Sequence, residues 1–150
     1  MITKWAFLSL LLANGPATID PFAIECVGKA QFSDDLSGKR VTRDYDIPKQ
    51  TYVFDEAWKR VQVAAIPRQQ FDEVCFRGGY IDTVSFSPGL IQVTSESSGR
   101  RCDFTVNRQS GDAEYFSHDD LPGGHFSEMK WLMNCTRTEI PTFDGIRNRF

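Results

Sequence analysis

The sequence predicts a small all-β domain. It reads as an antiparallel meander closing into a barrel or sandwich of about seven or eight short strands, tied by disulfides, with at most one or two helical turns. Three observations predict this. From Tyr80 to Gly111, short alternating segments are separated by Pro88-Gly89, by the cluster Ser95 to Gly99, and by Ser110-Gly111, which is the punctuation of a meander. Near the end of the chain, Met129, Trp131, Met133 and Cys135 recur at every second position, so they share one face of a strand. Twelve phenylalanines in 150 residues suit pleated surfaces better than helices. The length predicts one domain with a real core.

At the start, Lys4 precedes the apolar run Trp5 to Ala13, followed by Asn14-Gly15-Pro16-Ala17. A short basic segment, an apolar segment and small residues at the minus-three and minus-one positions form a secretory signal peptide over residues 1–17. Cleavage nearer Ala23 is the alternative, and a core helix is the competing structural reading. The run falls short of the ~20 residues a membrane-spanning helix needs. Ala23-Ile24-Glu25 before Cys26 is not a lipid-attachment triplet, and no second long apolar run follows, so no membrane span is expected in the mature chain. Residues 18–150 are then a single β domain with an irregular tail over about 141–150, and the expected location is periplasmic or secreted.

Within the domain, Phe22, Ile24 and Cys26 alternate on a first strand, and Gly28 marks a bulge or a close backbone approach. The polar stretch Lys29 to Gln50 holds a hairpin tip at Asp34 to Gly38 between two weak strands. Its acid pair could be half of a calcium site, but the other ligands of an EF-hand are missing. Thr51 to Phe54 is β-prone. Trp58 to Ile66 reads as a strand with Val61, Val63 and Ala65 on one face and Trp58, Arg60 and Gln62 on the other. A helical turn over Asp55 to Arg60 competes with it. Phe71, Val74 and Cys75 sit at helical spacing and suggest one turn of helix. In the meander, Val84 with Phe86, Ile91 with Val93, and Cys102 with Phe104 and Val106 face inward. A fourth strand over Glu114 to Ser117 follows, then a loop from His118 to His125. In the final strand Met129, Trp131 and Met133 are core candidates.

The formal charge is −3, and removal of residues 1–17, which carry one lysine and no acid, makes it −4. Both signs are interspersed and there is no basic stripe, which argues against nucleic acid as a partner. The four cysteines, Cys26, Cys75, Cys102 and Cys135, are an even set in a small exported chain, so two disulfides are expected. Four cysteines allow three pairings. The reading taken here is Cys26–Cys135, tying the first core strand to the last, with Cys75–Cys102 clipping the meander to the segment before it. The absence of any C-x-x-C disfavours zinc ribbons and thioredoxin-like chemistry.

Reactive groups are dense only between Ser117 and His125. His118, Asp119, Asp120 and His125 are candidate metal ligands, set against the plainer reading of a polar surface turn. No metal or cofactor is assigned, because no strand or helix spaces these side chains as a ligand set. Ser117 beside His118 is adjacency in sequence, which does not make a nucleophile–base pair, and there is no G-x-S-x-G elbow. Arg40, Arg100 and Arg101 read as a solvated face or as contacts to an anionic partner. Asn134-Cys135-Thr136 matches the glycosylation sequon inside an expected strand.

The order F-x-I-x-C-x-G at Phe22 to Gly28, N-R-x-S-G at Asn107 to Gly111, M-N-C-T at Met133 to Thr136 and P-x-F at Pro141 to Phe143 resembles a group of small exported all-β proteins of alphaproteobacteria. Their matching positions are strand apolars, turn residues and cysteines, so the resemblance implies fold and compartment and no activity. Relatives carry two closely spaced cysteines in mid-chain, whereas here Cys75 stands alone and Cys102 comes later. The functional expectation is a non-enzymatic binding or inhibitor-like module acting on an envelope or extracellular protein. It would present His118 to Gly124 or Asp34 to Arg40 as its contact loop. The alternatives are a lipocalin-like binder lined by Trp58, Phe86, Phe104 and Trp131, or a structural envelope protein.

Overall fold

The computed structural model describes residues 19–75 and 83–143. The expected signal peptide over residues 1–17, the Gly78-Gly79 opening of the meander, and the tail beyond Phe143 lie outside the described residues. Among the described residues nine antiparallel strands form one sheet curled into a half-barrel. They are β1 (Phe22–Asp34), β2 (Val41–Asp55), β3 (Arg60–Ala65), β4 (Gln70–Glu73), β5 (Thr83–Phe86), β6 (Leu90–Ser97), β7 (Arg100–Asn107), β8 (Asp112–Leu121) and β9 (His125–Thr138). Two single turns of 3-10 helix, at Ile66–Arg68 and Pro122–Gly124, are the helical content of the described residues.

The strand order is β4-β3-β2-β1-β9-β8-β7-β6-β5. Two meanders, β1 to β4 and β5 to β9, are thus joined along the β1–β9 ladder. The stretch containing β5, β6 and β7 is therefore one wing of the sheet, and the centre belongs to the first and last strands. Cys26 pairs directly with Cys135 in that central ladder, with Cα atoms 4.1 Å apart, and the two form a disulfide. The second disulfide is Cys75–Cys102. It runs from the end of β4, one edge of the sheet, to β7 near the other, so it holds the curl where no backbone ladder does. Cys75 adopts a left-handed backbone, φ 66°, as the chain leaves β4.

The core lies on the concave face. Phe54, Phe104, Ile91, Val61 and Val93 are almost wholly buried there, with Tyr52, Val106, Met133 and both disulfides packed among them. Alternation on β2 reverses at a bulge: Cys26 pairs with Gln50 but Gly28 with Ile47, so β2 carries one extra residue at Pro48-Lys49. Proline has no amide proton to give the ladder, and a bulge tolerates that. Below the bulge Gln50, Tyr52 and Phe54 face inward; above it Ile47, Tyr45 and Arg43 do. Gly28 is needed opposite because a Cβ there would collide with the Leu132 backbone carbonyl. A smaller apolar patch on the convex side holds Ala23, Val53 and Ala64. There the Phe143 ring of the tail lies 5.0 Å from that of Phe71.

Several expectations need correction. β3 begins at Arg60, and Trp58 sits in the β2–β3 turn, 75% exposed, because Asp55 Oδ1 accepts the Trp58 N–H at 3.1 Å and turns the chain there. The helical turn expected around Phe71 to Cys75 is instead β4. Pairing with β3 satisfies its backbone, and Glu73 accepts hydrogen bonds from Arg60 and Gln62 of β3. The segment from His118 is not a loop: β8 runs to Leu121, laddered residue by residue to β9. Only Pro122-Gly123-Gly124 turns, with both glycines at positive φ.

Candidate functional site

The concave face has a filled end and an open one. β1, β2, β8 and β9 run past the core, and by their register Ala30, Phe32, Tyr45, Tyr115, Met129 and Trp131 share their concave side. None of the six is fully buried, and Tyr45 is 51% exposed. The convex side of the same stretch is polar, with Lys29 paired to Asp46 at 3.0 Å, Gln31 to Asp44 at 3.2 Å, and Ser33 to Thr42 at 3.0 Å. An apolar, aromatic trough thus lies open to solvent on the inner side of four strands. Tyr45 is its exposed member, the other five are half-buried, and Ala30, Tyr115 and Trp131 pack against the core cluster.

Where the trough meets the core it deepens into a cleft of about 180 Å³, lined by Gln50, Tyr52, Val63, Val74, Tyr115 and Trp131 among others. The Tyr115 and Trp131 rings lie 5.1 Å apart at 45°. Tyr52 stacks 4.7 Å from Phe104 and its hydroxyl lies 3.7 Å from Met133 Sδ. Burial, and then the nearby Tyr115, push the Tyr52 phenol well above its ordinary range, so it stays a neutral donor. The Trp131 indole N–H is buried with no acceptor among the described residues. Leaving such a donor unmade costs about 1–3 kcal/mol. Of the three expected core residues, Met133 is buried, Trp131 is partly buried and packs against the core cluster while lining the cleft, and Met129 is half-buried outside that cluster.

His118 lies on the convex face. Its Nδ1 is 3.2 Å from Glu128 Oε1 and its Nε2 is 3.0 Å from Asp120 Oδ1. Glu128 Oε2 in turn accepts from Arg40 at 2.8 Å. The imidazole stacks on Phe126, centroids 5.9 Å apart, and the Arg40 guanidinium lies 5.6 Å from the same ring. The hydrogen bond to Asp120 is the largest influence on His118. It raises the pKa, a smaller lowering by desolvation opposes it, and Glu128 raises it further.

His125 starts β9 and meets a different acid: its Nδ1 is 3.4 Å from Asp35 Oδ1, which also accepts the Phe126 N–H at 2.8 Å. Asp119 alternates to the face opposite His118 and sits 3.5 Å from Arg100 Nε. Ser117, also opposite His118, is buried on the concave side. The strand thus separates Asp119 from His118, and among the described residues no three His, Cys, Asp or Glu side chains form a group that could hold a metal ion. What the two histidines do is join tips, since Asp35 and Arg40 of the β1–β2 turn dock on the β8–β9 hairpin. Of the proposed barrel lining, Phe104 is buried in the core, Phe86 packs at its edge, Trp58 is outside, and Trp131 alone reaches the open cleft.

Sequence reasoning missed Ala30, Phe32, Tyr45 and Tyr115. The every-second-residue spacing of Ala30 with Phe32 was the available signal, and the bulge hid Tyr45 by reversing its face. No protein-family model, curated protein or solved structure matches this chain.

Proposed function

We propose that this protein is a non-enzymatic binding module of the periplasm or extracellular medium, and that its partner is seated in the concave trough. The observation that carries the reading is the buried Trp131 N–H, without an acceptor among the described residues, on a ring that lines an aromatic cleft. A ligand carbonyl would complete that hydrogen bond while its apolar part lies against Tyr115 and Tyr52. Two disulfides favour an oxidising compartment. The cleft of about 180 Å³ is smaller than the ~300 Å³ at which drug-sized pockets begin. It therefore suits one ring or short chain presented by a larger partner, with the rest of that partner resting along Phe32, Tyr45 and Met129. This favours a protein partner over an enclosed lipocalin-like ligand.

The test uses N-acetyl-phenylalaninamide as a fragment of such a partner, titrated into the disulfide-intact protein while the indole N–H resonances are followed by NMR. The Trp131 resonance, identified by its loss in Trp131→Phe, should shift saturably at millimolar fragment, the range of roughly 4 kcal/mol. A Trp131 resonance that stays put, with Trp58 shifting alone or nothing shifting, would overturn the reading.

A further inference from the structure

We infer that the opposite end of the concave face holds a second, independent site, built for an organic anion with an apolar body. Beside the β7–β8 turn lies another cleft of about 180 Å³, with Phe22, Ile24, Ile91 and Val106 among its apolar lining and Arg108 and Arg137 among its polar lining. Two guanidinium groups at an apolar cleft are unusual enough to need an account, and the two arginines are not equivalent.

Arg108 already has its partners. Its Nη1 donates to the Ser87 carbonyl at 3.0 Å and lies 3.7 Å from Glu56 Oε2. That contact links the β2–β3 turn to the β7–β8 turn and closes this end of the half-barrel. Arg137 has no ion pair among the described residues; its guanidinium lies 4.4 Å from the centre of the Phe22 ring. The same ring has Arg108 at 5.7 Å and stacks on Phe54 at 5.0 Å. Phe22 is thereby anchored to the core, and it gives Arg137 a fixed platform. Stacking uses the face of a guanidinium and leaves its edge, with paired N–H groups, available for a carboxylate or sulfonate.

The neighbourhood also favours an anion electrostatically. Two cations share one ring, and among the described residues only one carboxylate, Glu56, is within ion-pair distance of either. An arriving carboxylate would supply the missing negative charge next to apolar surface, where its interaction is less screened than in bulk water. The cleft volume accommodates a body of roughly benzene size, since an apolar cavity of ~150 Å³ takes benzene. The ligand class is thus a small aromatic or short-chain monocarboxylate, carried either as a free metabolite or as the end of a larger molecule.

The experiment compares benzoate, benzyl alcohol and inorganic phosphate on the full disulfide-intact protein by NMR titration, with the Arg137 side-chain Nε–H as reporter. Benzoate should bind saturably, at least about tenfold tighter than benzyl alcohol, the margin of one charge-assisted hydrogen bond. Its affinity should fall as salt rises. Arg137→Gln, at an exposed position, should erase the preference for the anion, while Trp131→Phe should leave benzoate binding unchanged. Equal binding of benzyl alcohol would overturn the inference, as would phosphate binding as tightly as benzoate. So would an Arg137 resonance that does not move up to about 10 mM benzoate, or benzoate binding lost with Trp131→Phe.

Discussion

The two ends of the concave face are made from the same central strands and the same alternation, yet one end is a core and the other a trough. The difference is the facing wall. β1, β2 and β9 are 13, 15 and 14 residues long, while β3, β4 and β5 have six, four and four. An inward side chain is buried only where another wall lies opposite, and the short wings cover one end of the long strands. Cys75–Cys102 draws the wings together at that end. Past it, Phe32, Tyr45 and Met129 have the right pattern for burial, but among the described residues no strand faces them, and none of the three is fully buried. Alternation therefore states which way a side chain points, and strand length decides whether anything meets it.

The disulfides offer the largest perturbation of this contrast. Cys26–Cys135 spans 109 residues and Cys75–Cys102 spans 27. Chain entropy assigns the first about 5 kcal/mol and the second about 3.5. Replacing Cys26 and Cys135 by serine should give the larger loss in a urea melt but keep the half-barrel, because β1 and β9 remain laddered around the site. Replacing Cys75 and Cys102 should cost less yet open the curl, seen as increased binding of a hydrophobic dye and larger dimensions in solution scattering. Similar dimensions for both variants would show that side-chain packing alone holds the curl.

Truncations at the two ends come next. Phe104→Ala removes a ring that is 0% exposed and should destabilise by about 3–5 kcal/mol. Tyr45→Ser, on the same concave side, should stay within about 0.5 kcal/mol, as open surface positions do. A large loss at Tyr45 would mean that the trough is covered.

A further small effect is pH-dependent and sits on the convex side. Asp120 and Glu128 make His118 hold its proton more tightly when folded, so its pKa is raised on folding. The stabilisation is complete below about pH 6.5, the unfolded value, and disappears as pH rises through the higher folded value. Against wild type, His118→Gln should lose under about 1 kcal/mol at pH 5.5 and nothing at pH 9, measured by urea midpoints. A deficit that persists at pH 9 would show that His118 contributes by stacking on Phe126, not by charge.

Several parts of the molecule were legible in the residues. Period-two alternation placed β5, β6, β7 and β9, and the turn chemistry of Asn107 to Gly111 is visible in the structure, where Asn107 Oδ1 accepts the Gln109 and Ser110 N–H groups at 2.9 and 3.0 Å. The pairing of Cys26 with Cys135, chosen among three open connectivities because it would tie the first core strand to the last, is the one the structure has. Gly28 reads in sequence as a bulge or a close approach: it has the close approach to the Leu132 carbonyl, and the bulge lies opposite it on β2. β4 and the second half of β8 were not legible, because neither alternates clearly and each owes its strand form to a neighbour's ladder.

The candidate sites divide the same way. The reactive cluster at His118 was conspicuous in sequence because its residues are adjacent, and a strand then sends Asp119 to one face and His118 to the other. The trough was inconspicuous because its members come from four strands, one of them shifted in phase by the bulge at Pro48. The sequence by itself determined the strand class, the inward set of the wings and the expectation of two disulfides, since these depend on local period and on cysteine number, while three pairings of the four cysteines stayed open. Only the tertiary structure decided that the sheet stops at a half-barrel and that Trp131 faces a cleft. Those outcomes depend on how far each wall extends opposite another, a relation between segments distant in the chain that no single stretch encodes.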